Sequence, residues 1–99
     1  MYRASTTKHY FNIPFPAEGL RAIKLTYAQN GSKILSKTMD DLTQEAGFWK
    51  IILTQEETNK FIAGWASGQL RVLLQDGRSI PSVEFRFRVW DVLDDEVMV

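Results

Sequence analysis

Two Asx-Gly dipeptides constrain this chain more than any other feature. Asn30-Gly31 and Asp76-Gly77 each sit between runs in which apolar and polar residues alternate. A two-residue hairpin turn needs positive φ at its central positions, which Asn, Asp and Gly tolerate at least cost, so each dipeptide predicts a β-hairpin. Before the first, Ile23, Leu25 and Tyr27 alternate with Lys24 and Thr26, and Lys33 to Thr38 forms the return strand. Around the second, Gln69 to Leu74 leads in and Ser79 to Trp90 leads out. The outgoing run sets Val83, Phe85, Phe87 and Val89 on one face against Glu84, Arg86, Arg88 and Trp90 on the other, the period-two pattern of a half-buried strand. Pro81 cannot donate to a ladder and belongs at a sheet edge or a bulge.

Two more strands follow from the same pattern. His9, Phe11, Ile13 and Phe15 alternate with Tyr10 and Asn12 until Pro14 and Pro16 end the run, and Gly47 to Leu53 places Trp49, Ile51 and Leu53 on one face. Thr54 and Glu57 have the spacing of a capping box, which predicts a short helix from Gln55 to about Ala63, with Phe61 against the core. Met39 to Ala46 is polar and acidic and reads as a loop; Met1 to Thr7 reads as an extended polar leader. The 99 residues suffice for one domain. The expected architecture is all-β: an antiparallel, immunoglobulin-like β-sandwich of about six or seven strands, with one short helix after Thr54. An open barrel is the competing arrangement.

Charge and composition narrow the function. Lys plus Arg and Asp plus Glu number 12 each, whereas binding to nucleic acid draws most of its affinity from excess positive charge. The chain has no cysteine, so thiolate metal sites, disulfides and cysteine nucleophiles are out of reach. His9 is the single histidine, and no candidate nucleophile or acid is tied to it in sequence, so it reads as a packed or surface residue. The acids cluster at Asp40-Asp41, Glu56-Glu57, Asp91 and Asp94-Asp95-Glu96. Such runs normally face water, and none has the alternating ligands and central glycine of a calcium loop. The expectation is therefore no enzymatic activity, no metal and no cofactor. Met1 to Lys8 has no apolar signal region and no apolar run approaches a membrane span. This predicts a protein made in the cytoplasm that neither enters a membrane nor is secreted by a signal peptide.

The remaining candidates are aromatic and basic. Trp49 has core phase. Trp90 is out of phase with the Val83–Val89 face and so points outward with Arg86 and Arg88; Trp65, between Gly64 and Gly68, fits either side. Arg71 shares that outward phase with Arg86 and Arg88. Tryptophan and arginine together on a surface are enriched where proteins bind one another. Trp90, Arg86, Arg88 and Trp65 are therefore the candidate interaction residues.

Several segments also resemble a known group of proteins. Arg3-Ala4-Ser5-Thr6-Thr7-Lys8-His9-Tyr10-Phe11-Asn12-Ile13-Pro14-Phe15, Thr26-Tyr27-Ala28-Gln29-Asn30-Gly31, Leu53-Thr54-Gln55-Glu56-Glu57-Thr58-Asn59-Lys60-Phe61 and Gln69-Leu70-Arg71-Val72-Leu73 are similar to small proteins encoded in phages and prophages of Firmicutes. The order of elements resembles the N-terminal domain of phage baseplate upper proteins. The chain departs from that pattern at Pro81. The resemblance implies a β-rich structural or adaptor component of a tail, neck or baseplate, which joins the virion after synthesis and docks to copies of itself or to neighbouring virion proteins. The alternative is a small carbohydrate-binding module that stacks sugars on Trp65 or Trp90.

Overall fold

A computed structural model describes residues 1–45 and 47–99 of the protein. The described residues form seven strands, β1 (Thr7–Phe11), β2 (Leu20–Gln29), β3 (Ser32–Thr38), β4 (Thr43–Glu45), β5 (Phe48–Leu53), β6 (Gly64–Leu74) and β7 (Ser79–Val89), with a turn of α-helix, α1 (Gln55–Thr58), between β5 and β6 and 3-10 turns at Ala17–Gly19 and Met39–Asp41. The strands form two antiparallel sheets, ordered β1-β5-β4 and β3-β2-β6-β7. These orders correspond to strands B-E-D and C′-C-F-G of an immunoglobulin-type sandwich. Among the described residues no strand takes the place of A beside β1.

The inner faces follow the sequence pattern closely. Ile23, Leu25 and Tyr27 of β2, Trp49, Ile51 and Leu53 of β5, and Ala66, Leu70, Val72 and Leu74 of β6 share one core, which Phe61 completes. Along β7 the burial fades from one end to the other. Val89 is buried, Phe85 and Phe87 are half-buried, and Val83 is 57% exposed. Val83 has the phase of the core face without its burial, because β7 is an edge strand and the sandwich is open beside it.

The two hairpins use different turns. Asn30 (φ 53°) and Gly31 (φ 77°) both lie in the left-handed region, as a type I′ turn requires. In the second hairpin only Gly77 (φ 90°) does. The Gly77 amide donates to the Leu74 carbonyl at 3.0 Å and the Leu74 amide to the Arg78 carbonyl at 2.9 Å, which is the three-residue loop that ends in a left-handed glycine. The Asp76 carboxylate accepts from the Arg78 amide at 2.9 Å and from Arg78 Nε at 2.7 Å, and this local bonding favours the longer loop over the type I′ turn. Pro81 meets both expectations for it. It lies on the edge strand, and the register shifts between Leu70 and Val72, so Pro81 and Ser82 together oppose Arg71 in a bulge.

Other segments correct the sequence reading. The expected loop from Met39 contains a helical turn at Met39–Asp41, then β4, which pairs with β5. All three β4 residues are exposed, so no alternation marks them. Ala46, in the same expected loop, lies outside the described residues. The helix stops at Thr58, because the chain beyond it is bound to other elements. Gln29 holds Ile62 through two bonds, to its carbonyl at 2.6 Å and from its amide at 2.9 Å. β6 starts at Gly64, five residues before the expected Gln69. Gly68 is a strand position without a side chain for a packing reason: it pairs with Phe85, and a Cβ there would lie 2.1 Å from the Phe85 ring.

The capping box is present in both halves. The Glu57 amide donates to Thr54 Oγ1 at 3.2 Å and the Thr54 amide to Glu57 Oε1 at 3.0 Å. Burial raises the Glu57 carboxyl, but the Lys37 ion pair and the Thr54 amide outweigh it and hold the group below its usual range. Two outcomes test these packing arguments by chemical denaturation. Thr54→Ala should cost about 0.5–2 kcal/mol. Gly68→Ala, which drives Phe85 from its seat, should cost about 1–3 kcal/mol, and Gly68→Ala/Phe85→Leu should recover part of that loss.

Candidate interaction surface

The outward-facing side chains of β6 and β7 gather aromatics and arginines at one corner. Trp65 is paired in register with Arg88, and Ser67 with Arg86. The Arg86 guanidinium lies 4.8 Å from the centre of the Trp65 ring, and the Arg88 guanidinium lies 5.8 Å from Trp65 and 4.8 Å from Trp90. Tyr2 extends the row, its ring 6.5 Å from that of Trp90. Trp65 and Trp90 are 55% and 47% exposed. The structure thus brings all four candidate residues, Trp90, Arg86, Arg88 and Trp65, into one continuous outer patch and adds Tyr2. Each guanidinium is attracted to an electron-rich ring face, so the long arginine side chains are held in place before any partner arrives.

The patch is fixed by the N-terminal segment, which is docked instead of extended away from the domain. The terminal ammonium donates to the Arg88 carbonyl at 2.8 Å, the Trp90 amide to the Met1 carbonyl at 2.8 Å, and the Arg3 amide to the Trp90 carbonyl at 2.9 Å. Residues 1–3 therefore run parallel to the end of β7. Arg3 locks them there. Its guanidinium donates to the Phe61 carbonyl at 2.7 Å, to Asp91 at 2.8 Å and to Asp95 at 3.1 Å. Thr58 and Ser5 exchange hydrogen bonds of 3.1 and 2.9 Å. Tyr2 was not legible as part of the patch, because the contacts that place it join residues almost the whole chain apart.

The other candidates separate. Arg71 faces the same side of β6 but three cross-strand rows from Trp65, beside Lys24. Trp49 is buried in the core. His9 is half-buried on β1, its Nδ1 2.7 Å from the Tyr27 hydroxyl and its ring 5.3 Å from that of Phe87. Burial pushes the Tyr27 hydroxyl far above its ordinary value, so it stays protonated. The phenol has no other partner among the described residues, and we assign it as donor to Nδ1. Burial, with a smaller contribution from the terminal ammonium, lowers the His9 pKa. Besides the Tyr27 hydroxyl, the His9 ring is surrounded by the aromatic rings of Tyr27, Phe85 and Phe87. Among the described residues no three His, Cys, Asp or Glu side chains are grouped to hold a metal ion. No helix among them is long and apolar enough to cross a membrane.

The chain matches no protein-family model, no curated protein and no solved structure.

The His9–Tyr27 pair gives a pH signature. Native His9 resists protonation, whereas in the unfolded chain it gains a proton near about pH 6.5. Stability from this site is complete above that value and falls as pH drops below it. Melting midpoints of the wild type should decline from about pH 7 to 5.5, and those of His9→Phe should decline less over the same range. Equal slopes would remove His9 as the source.

Proposed function

We propose that the protein is a non-catalytic assembly module that binds other proteins through the patch of Trp65, Arg86, Arg88, Trp90 and Tyr2, and that it serves as a structural or adaptor component of a phage or prophage virion. The observation that carries the binding reading is the stacking itself. At one corner of the sheet Arg86 and Arg88 lie 4.8 and 5.8 Å from the centre of the exposed Trp65 ring, and Arg88 lies 4.8 Å from that of the exposed Trp90 ring. Large rigid side chains with little entropy left to lose are the usual centres of protein interfaces. The guanidinium groups already occupy a face of each tryptophan, the surface on which a sugar would stack, which favours a protein partner over a glycan. The virion reading rests on the sequence segments that resemble phage and prophage proteins and on the sandwich fold that the resemblance implies.

The test is association with the proteins encoded beside this one. Trp90→Ala should weaken binding by at least about 2 kcal/mol, roughly 30-fold, with a melting midpoint close to that of the parent. A mutant that unfolds, or that binds as the parent does, removes the patch from the interface. Neighbouring genes of portal, tail or lysis function support the virion role, and a free-standing metabolic setting contradicts it.

A further inference from the structure

We propose that β7 pairs antiparallel with β7 of a second copy of this chain, about a two-fold axis at Phe85, joining two four-stranded sheets into one continuous sheet. The main-chain bonds of this pairing use the edge of the sheet; of the tryptophan patch it engages Arg86, and it does not require the patch to bind another protein.

β7 has β6 on one side, and on the other only residues 1–3, which bond at Arg88 and Trp90. Among the described residues, the outer edge from Ser79 to Phe87 has no strand beside it. The bonds to the N-terminal segment reveal which main-chain groups point outward. The Arg88 carbonyl and the Trp90 amide both face that side. Backbone groups alternate along a strand, so the amides and carbonyls of Glu84 and Arg86 face the open edge too, while those of Phe85 and Phe87 bond to β6.

Charge selects the register. With the axis at Phe85, Glu84 of each copy lies opposite Arg86 of the other. These are the two residues whose main-chain groups are available, so each Glu84–Arg86 pair exchanges two backbone hydrogen bonds and sets unlike charges side by side. Sliding the strands to the next symmetric register puts Glu84 against Glu84 or Arg86 against Arg86. In the favoured register Phe85 meets its own counterpart at the closer, non-hydrogen-bonded position, and Val83 faces Phe87.

Apolar burial points the same way. An open cleft of about 370 Å³ runs between the two edge strands, lined by His9, Tyr10 and Phe11 of β1 and by Val83, Phe85 and Phe87 of β7. A strand added to β7 lies along this cleft and covers Val83, the exposed member of the inner face. The bulge at Pro81 and the docked N-terminal segment bound the ladder at its two ends. With 12 charges of each sign, the chain has no net repulsion to oppose the pairing.

Sedimentation velocity decides the matter. The wild type should form a concentration-dependent dimer. Glu84→Arg, and separately Arg86→Glu, should each weaken dimerisation about tenfold or more, since two attractive cross-strand pairs become repulsive. Glu84→Arg/Arg86→Glu should restore it, because the pairs are rebuilt with their signs exchanged. Far-ultraviolet circular dichroism and the melting midpoint of each variant, expected to stay close to those of the parent, separate lost pairing from lost folding. A wild type that stays monomeric at submillimolar concentration overturns the proposal and leaves the edge to a strand from another protein. A dimer that ignores both single changes, or a double variant no better than the singles, overturns it equally.

Discussion

The contact on which the two sheets depend is the hydrogen bond between His9 and Tyr27. Among the described residues it is the side-chain hydrogen bond that joins a strand of one sheet to a strand of the other. Immunoglobulin-type sandwiches often cross-link strands B and F by a disulfide packed on an aromatic of strand C. This chain has no cysteine, and the strand-C position holds Tyr27, fully buried with its hydroxyl turned toward strand B. The rings of Phe61, Phe85 and Phe87 all meet Tyr27 edge-on at 5.9–6.1 Å. A buried phenol without an acceptor costs about 1–3 kcal/mol, so the sheets settle where His9 can reach it.

That position determines where the core ends. His9 sits on the edge strand of the three-stranded sheet, and beyond it the apolar face continues into half-buried Phe11 and Phe85, 5.3 Å apart, and exposed Val83. The sandwich therefore has an open cleft on the β1–β7 side. The N-terminal segment covers only the upper part of the open side, where Arg3 gathers the segment after α1 and the acidic tail. The acids at Asp91 and Asp95 have a structural use there, as partners for Arg3. Tyr2 and Trp90 are placed by the same clamp, so the outer patch and the open edge are two products of one arrangement of the chain ends.

Much of this was legible in local sequence. Alternation located β1, β2, β5 and β7, the Asn-Gly dipeptide fixed the first turn, and the Thr54–Glu57 spacing gave the cap. The outward direction of Trp90, Arg86 and Arg88 followed from the phase of one strand. What stayed hidden depends on contacts distant in sequence. β4 is exposed throughout and carries no pattern. The start of β6 is obscured by Gly68, whose bare backbone makes sense only once Phe85 lies on it. Trp65 could not be placed until Gly64 proved to be the first residue of that strand. Phase alone put Val83 in the core, because a strand's pattern does not say whether anything stands across from it.

His9 and Tyr27 act as a unit in holding the sheets together. A double-mutant cycle over His9→Phe and Tyr27→Phe, read by chemical denaturation near neutral pH, measures it directly. The expected coupling is about 0.5–1.5 kcal/mol, the worth of one intramolecular hydrogen bond. Effects that add to within about 0.3 kcal/mol would contradict it.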